Sequence, residues 1–215
     1  NHYDASYGYD GFSEMIYIMP WVVKMEFEGM NCVSIKKINI MERFPKIVHV
    51  LGASGAGVST LGRAIGERFG HVQLDADDFF WLPVDPPFTQ KREASERVRL
   101  INETVEGCER FVISGSMCGW GDVFIPRLEL CVLVETPTDN RIERLKRREY
   151  FSFGDRILEG GDMHAGYLEF LDWAARYDTG DENMRSRVLH DKWLSGVSCP
   201  VLRVDGTKPV QEMLN

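Results

Sequence analysis

The chain has 215 residues, of which 44% are hydrophobic and 27% are charged, and its formal net charge at pH 7 is −8. These values are typical of a soluble globular chain that forms one domain, with or without an appendage. The negative balance argues against a general binder of nucleic acid or of an anionic membrane surface.

Cysteine usage indicates a reducing compartment. The chain holds no C-x-x-C pair, so neither a zinc site nor a disulfide framework is expected from Cys32, Cys108, Cys118, Cys131 and Cys199.

No apolar run approaches the roughly 20 residues that span a bilayer. The most apolar N-terminal stretch, Met15–Val23, contains Pro20 and lacks a basic leader, so it is a poor secretory signal. We therefore expect a cytoplasmic protein.

Residues 1–43 carry none of the glycine-rich or acidic motifs found in the rest of the chain. We expect them to be an N-terminal extension, either non-native or disordered. A role as a functional arm is the alternative. Residues 44–215 are then the domain that carries the chemistry.

A glycine-rich loop follows the first predicted strand, residues 46–51, and precedes a predicted helix that reaches Phe69. In this context G-x-x-x-x-G-K-[ST] indicates nucleotide binding, because the backbone N–H groups surround a phosphate and the helix points its positive end at it. Tight packing of strand on helix is the alternative reading. The predicted phosphate-binding residues are Gly52, Ser54, Gly55, Ala56, Gly57, Val58, Ser59 and Thr60.

Val58 departs from the motif, because it occupies the position of the lysine that reaches the β- and γ-phosphates. Ser59 occupies the position whose hydroxyl coordinates Mg²⁺. The loop therefore predicts phosphate binding, while catalysis would need other cations. Arg63, one helical turn beyond Ser59, and the arginines later in the chain are candidates.

Carboxylates follow the second predicted strand, residues 71–74. Just past a strand end, Asp75 could hold Mg²⁺ and Asp77 could accept a proton from an acceptor hydroxyl. A solvated turn or a helix cap is the alternative, since aspartate is common in both. The aromatic residues 79–81 could line an acceptor pocket or belong to the core.

Further strands are predicted at 110–114, 128–135 and 201–205, with a helix over about 91–108 that buries Val98, Ile101 and Val105. Strands alternating with helices imply a parallel sheet, whose ligands collect at the carboxyl ends of its strands. Gly115-Ser116 and Glu135-Thr136 follow two of these ends, as the glycine loop and the aspartates follow the first two.

The segment after the fourth strand predicts a helix, with Thr136 as its cap and Pro137 as its first residue. Arg141, Arg144 and Arg148 share one face of it and could contact phosphate or adenine, or simply be solvated. Residues of about 150–166 are rich in glycine and charge and are interpreted as a mobile lid. A helical stripe over 167–174 and a helix over about 183–194 follow, and His164 and His190 are expected at the surface or as caps.

Residues 45 to about 215 resemble the adenylate-kinase-like small-molecule kinases, which include shikimate and gluconate kinases. The resemblance rests on the glycine loop, on Leu74-Asp75-Ala76-Asp77, on Ile113-Ser114-Gly115 and on Arg144-Leu145-Lys146-Arg147-Arg148. The chain is most similar to uncharacterised bacterial adenylate kinase-related proteins in which the loop lysine can be replaced.

This resemblance implies an α/β fold of the P-loop NTPase class, a three-layer sandwich with a five-strand parallel sheet and a helical lid insertion. It implies ATP as the donor and Mg²⁺ as the cofactor, held by Ser59 and Asp75. Asp77 would lie on the acceptor side. Arg144 would stack near adenine, and Arg148 and Arg156 would clamp the phosphates, with Arg176 as a further candidate.

Two functions remain open. The first is an ATP-dependent kinase that transfers phosphoryl to a hydroxyl or phosphate of an unknown small molecule. The second is a nucleotide-binding sensor or pseudokinase, which Val58 favours. No AMP-binding segment is recognisable between Asp77 and Cys108, which argues against a true adenylate kinase.

Overall fold

The computed structural model describes residues 43–214 in full and, before them, three strands of backbone. The chain divides into two compact units, residues 1–44 and 45–215. In the first unit, three antiparallel strands form a sheet in the order β1-β2-β3. They are β1 (Met15–Ile18), β2 (Trp21–Phe27) and β3 (Val33–Asn39). These strands were not predicted from the sequence, and that this unit is an appendage stays a prediction.

The second unit alternates strands and helices. Its elements are β4 (Ile47–Gly52), α1 (Val58–Phe69), β5 (Val72–Asp75), α2 (Ala76–Phe80), α3 (Ala94–Thr104), β6 (Phe111–Ser114), β7 (Leu130–Glu135), α4 (Thr138–Phe153), α5 (His164–Ala175), α6 (Arg187–Leu194), β8 (Val201–Asp205) and α7 (Val210–Met213). The five strands β4–β8 form one parallel sheet in the order β5-β6-β4-β7-β8. The predicted five-strand parallel sheet is confirmed.

Side chains that alternate along the strands give the sheet two buried faces. On one face, Phe111 and Ile113 of β6 belong to a core cluster with residues of α3 and α6. On the other face α1 lies close, because a Cβ on Gly62 would fall 1.8 Å from Ser114 Oγ. Helices on both faces make the predicted three-layer α/β sandwich.

Most element boundaries lie within a few residues of those predicted, and Ile101 and Val105 are buried as expected. The predicted lid is largely helical: α4 continues to Phe153, a 3₁₀ turn covers Gly154–Ile157, and α5 begins at His164. Its role as a lid stays a prediction. In the part of the chain that the structure describes, no helix is long and apolar enough to cross a membrane.

The start of α4 differs from the prediction. Pro137 is the N-cap rather than the first helical residue, and no side chain caps the helix. Thr136 is not the cap, because its Oγ1 donates a hydrogen bond to the carbonyl oxygen of Ala56, 3.0 Å away. The threonine therefore ties the end of β7 to the glycine loop.

Candidate active site

The glycine loop between β4 and α1, residues 52–60, turns through two glycines with left-handed backbone conformation. Gly55 and Gly57 have φ values of +80° and +106°, which L side chains rarely adopt. A Cβ on Gly55 would lie 2.6 Å from the carbonyl oxygen of Arg141, so α4 leaves no room for one. Gly57 precedes the first turn of α1, whose N–H groups have no partners within the helix. The loop therefore offers donors to an anion.

Arg141 lies behind this loop and fixes it. Its side chain is fully buried, and its guanidinium donates to the carbonyl oxygens of Thr136, Ser54 and Ala174. It also forms an ion pair with Asp178 at 3.2 Å. The prediction that Arg141 contacts phosphate or adenine is wrong, because its side chain has no surface exposed to a ligand.

Val58 contributes no charge to the loop. Its side chain is 8% exposed, and one of its methyl carbons, Cγ2, would lie 3.1 Å from a Cβ on Gly52. The side chain thus packs back onto the strand end instead of reaching over the loop.

Ser59 and the first aspartate after β5 meet directly. The Ser59 hydroxyl donates to Asp75 Oδ2 at 2.5 Å. Asp75 also caps α2, accepting a bond from the backbone N–H of Asp77 at 3.1 Å. The helix-cap alternative for Asp75 is thus confirmed, and the same carboxylate reaches the loop. That Asp75 holds Mg²⁺ stays a prediction.

Asp77 lies beside this pair. Burial raises the pKa of its carboxyl above the ordinary value, with Asp75 adding to the rise and Arg185 and Arg148 opposing it. Arg185 is the nearer of these cations, 3.8 Å from Asp77 Oδ1. A carboxylate with a raised pKa is a better proton acceptor, which suits a general base.

The predicted ligand-binding arginines have different surroundings. Arg144 Nη1 lies 3.4 Å from the carbonyl oxygen of Ala56, at the loop itself. Arg148 pairs with its neighbour Glu149. Arg156 forms ion pairs with Asp162 at 2.7 Å and Asp85 at 2.9 Å.

A buried chain of hydrogen bonds follows β6. His190 on α6 is fully buried, with Ser116 Oγ 3.1 Å from its Nε2 and the Tyr177 hydroxyl 2.9 Å from its Nδ1. Burial lowers the pKa of His190 to about 3, so the ring is neutral at pH 7. The prediction of a surface or capping role for His190 is wrong, because α6 turns the ring towards the sheet.

Of the aromatic residues after Asp77, Phe80 packs on the core, whereas Trp81 contacts the segment around Phe88 and Lys91. Phe80 packs against the core cluster, with the Arg97 guanidinium 3.8 Å from its ring centre. Trp81 pairs with Lys91 across a bridge and contacts Phe88, 6.1 Å between ring centres. An aromatic wall for an acceptor stays a prediction.

The structure thus brings the loop, Ser59, Asp75, Asp77 and Arg144 to the carboxyl ends of β4 and β5. Arg148 is near enough to act on the Asp77 carboxyl, whereas Arg156 is engaged by two carboxylates. Arg176 forms an ion pair with Asp172 of α5 at 3.2 Å.

Sequence reasoning missed Arg185. It lies in a loop between helices, with its guanidinium 5.6 Å from the ring centre of Trp173. A single arginine in such a loop carries no motif, so no sequence signal could have found it.

Comparison with known proteins gives the family. A family model described as an AAA domain matches residues 48–156, about half of the chain. The chain is 41% identical over 170 residues to the uncharacterized protein YqaC of Bacillus subtilis (strain 168), an alignment that covers 79% of this chain and 94% of that protein.

Among solved structures, a sugar kinase from Janibacter sp. HTCC2649 is 14% identical with a TM-score of 0.45, covering 79% of this chain and 90% of that one. A gluconokinase from Sinorhizobium meliloti 1021 is 19% identical with a TM-score of 0.44, covering 80% and 88%. Shikimate kinase from Acinetobacter baumannii in complex with shikimate is 18% identical with a TM-score of 0.38, covering 72% and 95%. The family model shows that the chain belongs to the AAA domain family, with YqaC as a relative at 41% identity.

Proposed function

We propose that the protein is an ATP-dependent phosphotransferase that transfers the γ-phosphoryl group to a hydroxyl or phosphate of a small molecule. The observation that carries the proposal is the contact between the Ser59 hydroxyl and Asp75, with Asp77 alongside, at the mouth of a glycine loop. Phosphoryl transfer needs these parts together: a phosphate cradle, a metal-binding pair and a group that orients the acceptor.

The residues present fit Mg²⁺. A hydroxyl and a carboxylate in contact are hard oxygen ligands, and Mg²⁺ in such sites takes one or two carboxylates and completes its shell with phosphate and water. In the described part of the chain no group of three or more His, Cys, Asp or Glu side chains could hold a metal ion. On the ground of the contact between them, Ser59 and Asp75 would hold Mg²⁺, which would neutralise charge on the donor phosphates.

Asp77 is the proposed base. Its carboxylate would take the proton from the acceptor hydroxyl as the acceptor oxygen bonds to the γ-phosphorus and the bond to the β-phosphate breaks. Arg148 and Arg156 are the proposed clamps on the transferring group. Arg156 would first have to exchange Asp85 and Asp162 for phosphate.

A nucleotide-binding sensor without transferase activity is the second candidate. The buried Val58 favours it, because the loop lacks the ammonium that assists transfer in most P-loop enzymes. The two candidates share nucleotide binding and differ in turnover.

Nucleotide binding is tested by calorimetric titration of ATP with and without Mg²⁺. We expect ATP to bind, more tightly with Mg²⁺, and Gly57→Val to abolish binding because a side chain would fill the phosphate space above a residue at φ +106°. Gly107→Val is the matched control, since Gly107 also has a positive φ, of +75°, but has open space around it and precedes the opposite end of β6.

Undiminished ATP affinity in a Gly57→Val protein that melts like the Gly107→Val control would contradict the proposal. Equal loss of affinity in both variants would also contradict it, because the loss would then follow from backbone strain alone.

A further inference from the structure

The open side of Gly57 faces one cation. Apart from the adjacent residues of the chain, a Cβ built on Gly57 would have one neighbour within 4 Å among the described residues, Arg144 Nη1 at 3.9 Å. The same nitrogen lies 3.4 Å from the carbonyl oxygen of Ala56, one residue earlier. The guanidinium of the half-buried Arg144, which belongs to α4, thus lies next to the loop. In the usual motif the cation is a lysine of the loop itself, at the position of Val58.

Two other arginines of α4, Arg141 and Arg148, already have protein partners. Arg141 is buried with five donated hydrogen bonds, to Thr136, Ser54, Ala174, Thr138 and Asp178. The Arg148 guanidinium binds Glu149 through two nitrogens. Arg144 donates its hydrogen bond to the loop carbonyl of Ala56, and among the residues that the structure describes no carboxylate forms an ion pair with it.

We propose that Arg144 replaces the missing lysine and binds the β- and γ-phosphates above Gly57. A guanidinium stays charged at any working pH and can donate two parallel bonds to phosphate oxygens. Val58 and Arg144 then form a compensating pair: the loop loses its internal cation and α4 supplies one. The inference rests on the proposed function and departs from the family resemblance, which would place Arg144 against adenine.

Inorganic tripolyphosphate separates the two roles, because it carries the phosphates of ATP without the base. We would measure the dissociation constants of tripolyphosphate and of ATP by calorimetry for the wild type, Arg144→Ala, Val58→Lys/Arg144→Ala and Arg147→Ala. Arg147 is an exposed arginine on the same helix and serves as the matched control. Thermal melting checks that each variant is folded.

We expect Arg144→Ala to weaken both ligands by a similar factor, about 10- to 100-fold for the loss of a charged hydrogen-bonding partner. Val58→Lys should restore both affinities in the double variant, and Arg147→Ala should change neither. Unchanged tripolyphosphate affinity with weakened ATP affinity would place Arg144 on the base and overturn the inference. A loss that Val58→Lys does not restore would overturn it too. A wild-type protein that binds neither ligand would instead refute the proposed function.

Discussion

At the scale of single residues, the sequence did not show which arginines of α4 are structural and which lie at the glycine loop. Arg141, Arg144 and Arg148 recur on one helix face, so periodicity treats them alike. The structure buries Arg141 completely, leaves Arg144 half-buried at the loop and exposes Arg148. What separates them is the position of the loop and of Asp178, which lies far along the chain.

Replacing Arg141 should therefore damage the fold. In Arg141→Leu the carbonyl oxygens of Ser54 and Ala174 lose the guanidinium donor, and Asp178 loses its ion pair with Arg141. We expect a loss of about 3 kcal/mol in the free energy of unfolding. Urea denaturation measures it, with the exposed Arg147→Leu as the control. A loss no larger than that of Arg147→Leu would contradict the structural role assigned to Arg141.

At the scale of elements, the sequence predicted what depends on local pattern. β-Branched runs and helical spacing placed the strands of the sheet and most helices, because these patterns reflect burial on one face. The sequence-based prediction failed where a side chain bonds to a residue distant in the chain. Thr136, for example, donates to Ala56 of the loop instead of capping α4. The burial of His190 was also missed, because the partners of its ring are contributed by Ser116 and Tyr177.

Hydrogen bonds among Tyr177, His190 and Ser116 link α6 to the segment after β6. The buried imidazole of His190 makes the stability of the fold depend on pH. The unfolded chain protonates a histidine below about pH 6.5, whereas burial keeps His190 neutral in the folded chain down to about pH 3. The charges of Arg185 and His49 add to this lowering and Asp191 opposes it. The unfolded state thus binds more protons between these values, so stability falls as the pH falls.

We expect the unfolding free energy of His190→Asn to decline less than that of the wild type between pH 7 and pH 5, by roughly 1–2 kcal/mol. His49, whose pKa is lowered to about 4, is present in both proteins. Urea denaturation at several pH values gives the slopes, and His164→Asn is the control. Parallel slopes for the wild type and His190→Asn would exclude a neutral buried ring.

At the scale of the whole molecule, the sheet order explains why the site lies where it does. β4 is central and β5 is at one edge of the sheet, with β6 between them. The loop after β4 and the aspartates after β5 nevertheless meet, because Ser59 on α1 reaches across to Asp75. The sequence could predict that these residues share an edge of the sheet, but the contact itself depends on how α1 crosses it.

The central proposal is that the protein transfers phosphoryl groups, and transfer from γ-labelled ATP into a pool of small metabolites tests it most directly. We expect label in an organic phosphate with the wild-type protein, and transfer about 10²–10⁴-fold slower with Asp77→Asn, the usual worth of general-base help. Asp78→Asn, the exposed neighbour, should transfer at the wild-type rate. ATP binding without label transfer, or equal transfer by Asp77→Asn and the wild type, would contradict the account.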